Sequence, residues 1–262
     1  MLHWSLPSLL STLFLVLSGS TEGSPPAAGP TIKYTASLGG DVECLSEVNA
    51  AREAAGLPSF TTASDGNELT APGGTDLEEG SEWKKVCTHL IPTEATEAIA
   101  GSTTANPFQD GTYAFKSLTA AKPDCKETVD YWKAAYKNFT GLPPSKAEDE
   151  NLYKNQDNVS FVALYNPSTG ATADCRVVTC TQTTTTSTDD ETESSYAAGN
   201  TAKSGYALIC KTMPAAFGTG SSAPFTQEQW DGIVSSLTGS ASIAVPSFVA
   251  LAIVTFGITT LL

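Results

Sequence analysis

The sequence predicts an α+β domain in which helices cover both faces of a small, mainly antiparallel sheet, a three-layer α/β/α sandwich. Helical periodicity stands before and after a block of β-branched and apolar runs. Those runs are apolar on both alternating sides, so each face of the sheet needs a cover. The six cysteines are divided between the helical segments and the strand block.

In chain order, Leu6 to Leu17 is an apolar run too short to span a bilayer, followed by Ser18, Gly19 and Ser20. Residues 1–20 therefore read as a secretory signal peptide, although His3 replaces the usual Lys or Arg ahead of the run. Residues 21–40, with Pro25, Pro26, Pro30 and Gly39-Gly40, are expected to be a flexible lead-in. A first helix is predicted from Asp41 to Ala55, where Val42, Leu45, Val48, Ala51 and Ala55 keep helical spacing and Gly56 and Pro58 stop it. A second follows Ser81 as cap, with Trp83, Val86, Cys87 and Leu90 on one face and Pro92 at its end. The third pairs Asp124 with Glu127 at capping spacing, buries Val129, Trp132, Tyr136 and Phe139, and ends at Gly141-Leu142-Pro143-Pro144. A fourth runs from Thr226 to about Leu237, with Gln229 at capping spacing and Trp230, Ile233, Val234 and Leu237 as its stripe.

Between the third and fourth helices the period changes. Ser160 to Tyr165, Asp174 to Thr181 and Gly205 to Thr212 read as strands, with Thr112 to Ser117 as an edge strand. The first two should pair through the turn Asn166-Pro167-Ser168-Thr169-Gly170. Thr181 to Ala202 is Thr/Ser-rich and acidic, and buries too little apolar surface to order itself.

A secretory route makes disulfides the default for Cys44, Cys87, Cys125, Cys175, Cys180 and Cys210. Cys175 and Cys180 point to opposite faces of one straight strand, about 16 Å apart, beyond the roughly 7 Å that a bridge tolerates. The layering leads us to expect each strand cysteine to bond a helix cysteine, with the partners left open.

At the far end, Ile243 to Leu262 is apolar and lacks any terminal Lys or Arg that would hold a spanning helix. The small residues Ser235 to Ser242 precede it, as a transamidase requires before a removed tail. Residues 239–262 are thus expected to be a GPI attachment region with a removable tail. Gly239 is the first choice of attachment site and Ser240 the second; a tail-anchored protein is the competing reading.

Charge and missing motifs narrow the function. With 14 Lys+Arg against 28 Asp+Glu, a net charge of -14 argues against a nucleic-acid partner. After the signal, His89 is the only histidine, so two-imidazole metal sites are excluded, and neither H-E-x-x-H nor G-x-S-x-G occurs. His89 falls at the end of the second helix, where a positively inclined side chain suits the dipole. No metal, cofactor or catalytic residue is expected. Glu78-Glu79 and Asp149-Glu150 read as solvated loop charge. Asn138 and Asn158 are N-glycosylation acceptors by sequon, but Phe139 reads as core and Asn158 as the opening of a strand, which argues against occupancy.

The segment Glu43 to Leu57, the six-cysteine layout, Pro224 to Trp230 and the anchor tail resemble the GPI-linked surface antigens (SAG family) of Eimeria-type coccidian parasites, over essentially the whole of residues 41–238 and the tail. That family in turn resembles the CAP superfamily of cysteine-rich secretory and pathogenesis-related proteins. Asp174 to Cys180 looks like the CAP strand with two cysteines, and Tyr206 to Cys210 like the strand carrying the next. Asn158 to Tyr165 stands where many CAP proteins have a Gly-His-aromatic segment, so a two-histidine metal site does not carry over. The resemblance implies a non-enzymatic antigen, held on the outer membrane leaflet by its GPI anchor, that contacts host-cell surface molecules and host antibodies. A secreted lipid or sterol carrier is the alternative, and a single-histidine hydrolase comes third.

Overall fold

A computed structural model of the chain describes residues 30–74, 76–93, 108, 110–185 and 200–239. The expected signal segment, the acidic centre of the Thr-rich excursion and the apolar tail lie outside the described residues. Five strands, β1 (Thr31–Leu38), β2 (Thr61–Thr62), β3 (Thr112–Leu118), β4 (Thr172–Thr185) and β5 (Asn200–Met213), form one sheet. Its order is β1-β4-β5-β3; all these neighbours are antiparallel, and β2 runs parallel beside the start of β4. Five helices accompany it among the described residues: α1 (Leu45–Ala54), α2 (Glu82–Leu90), α3 (Cys125–Ala134), α4 (Gln156–Leu164) and α5 (Gln227–Thr238).

Strand alternation divides the core in two. Ala114, Ala173, Cys175, Val177, Leu208 and Cys210 face α1, α3, α4 and α5, while Tyr113, Phe115, Val178, Cys180, Ala207 and Ile209 face α2. The α+β class and the antiparallel sheet follow from this arrangement. Helix α5 crosses the end of α1 so closely that a Cβ at Gly232 would lie 2.6 Å from the Ala55 carbonyl oxygen. Trp230 then meets Phe139, Phe161 and Phe225. Buried Arg52 on α1 donates to the carbonyls of Pro58 and Leu164, each at 3.0 Å, and lies 3.5 Å from the Phe60 ring centre. It thereby places a cation at the C-terminal ends of α1 and α4, where both helix dipoles favour one.

Edge strands expose unpaired backbone groups. On β3, Phe115 donates its amide to Ser160 Oγ at 3.0 Å and accepts from Trp132 Nε1 at 2.9 Å, and Gln156 Nε2 donates to the Tyr113 carbonyl. Helices α3 and α4 thus seal that edge. On β1, the Tyr34 carbonyl accepts from Leu77 at 2.8 Å.

Several expectations need correction. Ser160–Leu164 belongs to α4, not to a strand, with Asn155 capping by accepting from Asp157 and Tyr165 closing the helix. Every residue from Ser160 to Leu164 is buried, so polar positions that would mark a helical period are missing. The Asn166-to-Gly170 turn accordingly joins a helix to β4, and the hairpin partners are β4 and β5. Residues expected as lead-in form β1, whose Ile32, Tyr34, Ala36 and Leu38 alternate with Lys33, Thr35 and Ser37. Thr181–Thr185 and Asn200–Ala202, expected in the excursion, extend β4 and β5, as suits β-branched threonines. Helix α1 starts late, because Val42 and Cys44 are left-handed at φ 56 and 61. Helix α3 gives way to a 3-10 turn at Ala135–Asn138.

The disulfides also depart from a uniform helix-to-strand pattern. The bonds are Cys44–Cys125, Cys87–Cys180 and Cys175–Cys210, and none of the six thiols is free. Cys44 and Cys125 sit at the starts of α1 and α3, which share one face of the sheet, so they bond helix to helix. Cys175 lies directly opposite Cys210 in the β4–β5 register, so that bond joins neighbouring strands. Only Cys87–Cys180 ties a helix to the sheet.

Candidate functional site

A surface cleft lies where the chain enters α4. It holds about 310 Å³ and is lined by Gly111, Lys146, Glu150, Tyr153, Gln156 and Phe217, among others. Local capping builds its first wall. Ser145 and Glu148 exchange hydrogen bonds, the Ser145 amide to Glu148 Oε2 at 2.9 Å and the Glu148 amide to Ser145 Oγ at 3.2 Å. Hydrogen bonding to the carboxylate, from the Ser145 amide first and then from its hydroxyl, lowers the Glu148 pKa. Asp149 accepts from the Leu152 amide at 3.0 Å, starting the 3-10 turn Leu152–Lys154. Tyr153 is buried and donates its hydroxyl to the Pro144 carbonyl at 2.6 Å. Burial first, then the charges of Asp149 and Glu148, push that hydroxyl's pKa well up.

The opposite wall comes from the loop after β5. Phe217 meets Tyr153 edge to face at 4.7 Å, with the Lys146 ammonium 5.8 Å from its centroid. Ala147 donates to the Gly220 carbonyl at 2.8 Å, and Ala216 to Thr112 Oγ1 at 2.8 Å, fastening both walls to β3 and to each other. Gly111, at φ 79, closes the floor; a Cβ there would lie 2.9 Å from Met213 Sδ. Neither Lys146 nor Lys154 enters an ion pair among the described residues; Lys154 donates to Asn151 Oδ1 instead.

Of the positions singled out from sequence, Glu150 lines this cleft, together with Thr112 of the expected edge strand and Val159 of the Asn158-to-Tyr165 segment. Glu79 pairs with Lys84 at 2.6 Å, and Asp149 serves as a cap. Asn138 Nδ2 donates to Asn158 Oδ1 at 2.7 Å, while the buried Asn158 amide donates to the Leu152 carbonyl. His89 does sit in the last turn of α2, edge to face with Phe115 at 5.6 Å. Desolvation lowers its pKa, so the positive side chain expected there is disfavoured. Glu43, Cys44 and Cys125 gather within 4.8 Å, but the two sulfurs are bonded to each other, leaving a single carboxylate as donor. Gly239 closes α5 in the left-handed region at φ 66 and is exposed; Ser240 lies outside the described residues. Among the described residues no helix is long and apolar enough to cross a membrane.

Sequence reasoning missed Tyr153, Lys146 and Phe217. Their only local signals, Pro143-Pro144 and Gly218-Thr219-Gly220, mark two loops without saying that the loops meet.

Comparison with known proteins adds what geometry does not. Residues 40–252 match the family model described as the sporozoite surface antigen (SAG) protein domain. The sporulated oocyst TA4 antigen of Eimeria tenella is 32% identical over 204 residues, covering 75% of this chain and 75% of that protein. No solved structure matches the chain.

Proposed function

The chain belongs to the sporozoite surface antigen (SAG) family, and from that membership we propose a GPI-anchored, non-enzymatic antigen that contacts host-cell surface molecules and is met by host antibodies. The family match along most of the chain carries this reading, and it suggests a cell-surface location. Three features support the finer statements. Helix α5 stops at an exposed, left-handed Gly239 inside the small-residue stretch Ser235 to Ser242, the kind of accessible small residue that a transamidase needs. Three disulfides suit an extracellular setting. The net charge of -14 gives the displayed surface an acidic field.

The layering reads as CAP-like, supported by helices on both faces of the sheet and by Cys175 and Cys180 facing opposite ways. The carrier alternative is weaker: three surface clefts of about 310, 230 and 320 Å³ are lined in part by Lys146, Asp130 and Glu78, and a sterol would need an apolar enclosure. Phosphatidylinositol-specific phospholipase C applied to intact cells tests the anchor. Release of the protein into the medium is expected; retention on the cells would refute the anchor.

A further inference from the structure

We propose that the cleft between the 144–154 segment and the Ala215-to-Gly220 loop binds one uncharged sugar ring, a neutral hexose-type residue of a glycan. The proposal rests on the surface-contact reading above and names the ligand class for that contact. Size sets the first limit. About 310 Å³ lies at the low end of small-molecule sites, room for one ring and little more.

The lining sets the second. A sugar ring presents hydroxyls that both donate and accept around its rim and an apolar C–H surface on its face. Lys146 and Lys154 supply donors, Glu150 supplies an acceptor, and Phe217 with Val159 supplies apolar surface. The Phe217 ring is preset, held edge-on by Tyr153 and by a loop tied to Thr112 and Ala147. A wall already fixed costs little ordering on binding.

Charge decides between neutral and ionic ligands. Two ammonium groups in the lining oppose a cation. An anion meets Glu150 in the cleft and Glu148, Asp149 and Asp157 close to it in the chain, within a molecule of net charge -14. Opposed fields leave an uncharged, hydroxyl-rich ring as the best match, and its binding should respond weakly to salt.

Saturation-transfer NMR on the full-length chain in detergent tests this with the methyl glycosides of mannose, galactose, glucose and fucose, and with sialyllactose and a heparin disaccharide as charged counterparts. At least one neutral glycoside should receive saturation, with affinity unchanged between low and high salt. Phe217→Ala should weaken that affinity about tenfold or more. Glu150→Ala, an exposed substitution that removes the acceptor and leaves the packing alone, should weaken it measurably with the fold intact. No binding of any neutral glycoside, binding of the charged sugars alone, or binding unchanged in Glu150→Ala would overturn the proposal. Phospholipase release is scored separately, so a protein that is released yet ignores all four glycosides loses this inference and keeps its anchor.

Discussion

Replacing Arg52 by methionine should destabilise the domain by about 2 kcal/mol, on the following accounting. The guanidinium is fully buried and donates two hydrogen bonds to main-chain carbonyls, worth about 1.5–3 kcal/mol each when the donor is charged. Its position over Phe60 adds about 1–2 kcal/mol. Against this stands desolvation, which lowers its pKa from 12.5 to about 10. At 1.36 kcal/mol per pKa unit that offsets about 3 kcal/mol. Methionine keeps most of the volume, leaves the Pro58 and Leu164 carbonyls unpaired, and removes the desolvation cost. Alanine should lose about 2 kcal/mol more through the cavity it opens. Urea unfolding of the oxidised protein, followed by tryptophan fluorescence, reads both values, and the slope with denaturant should stay constant. A methionine variant as stable as the parent would refute the reasoning, because Arg52 would then be a tolerated buried charge and not the clasp between α1, α4 and the 58–60 segment.

The Cys44→Ala/Cys125→Ala double variant should lose about 4 kcal/mol, since that bond closes a separation of 81 residues; non-reducing peptide mapping should find Cys44 with Cys125, Cys87 with Cys180 and Cys175 with Cys210, and any other pairing contradicts the fold. His89 has a folded-state pKa below 6.5, so the unfolded chain takes up that proton first as the pH falls. Its contribution to stability is whole above about pH 6.5 and declines as the pH drops through the window below it. His89→Gln should flatten the stability profile there, and an unchanged profile would be the contrary result. Asn158 should carry no glycan in the protein purified from parasites, because its side-chain amide is buried and bonded to the Leu152 carbonyl; isotope labelling at Asn158 during enzymatic deglycosylation would show otherwise.

What the sequence reveals here is local chemistry. Ser81, Asp124 and Thr226 cap the helices they were expected to cap, and Thr226 with Gln229 forms a full capping box. Each involves residues three apart, so no distant partner is needed. Helix α4 was unreadable for the opposite reason: burial from Ser160 to Leu164 erases the polar face that reveals a period. The proline- and glycine-rich surroundings of β1 masked a clear alternation. Disulfide partners depend on which helices share a face, and Cys44 meets Cys125 only because α1 and α3 start side by side. The cleft is harder still, assembled from residues near 111, from 146 to 159 and at 217. No spacing rule connects those three stretches.

The central proposal, that lipid attached at Gly239 or Ser240 holds this surface antigen on the membrane, is tested most directly at that end of the chain. Mass spectrometry of the protein purified from parasite membranes should find a last peptide ending at Gly239 or Ser240 and carrying an ethanolamine-phosphate glycan. Unmodified peptides from residues 248–262 in the mature protein would contradict it.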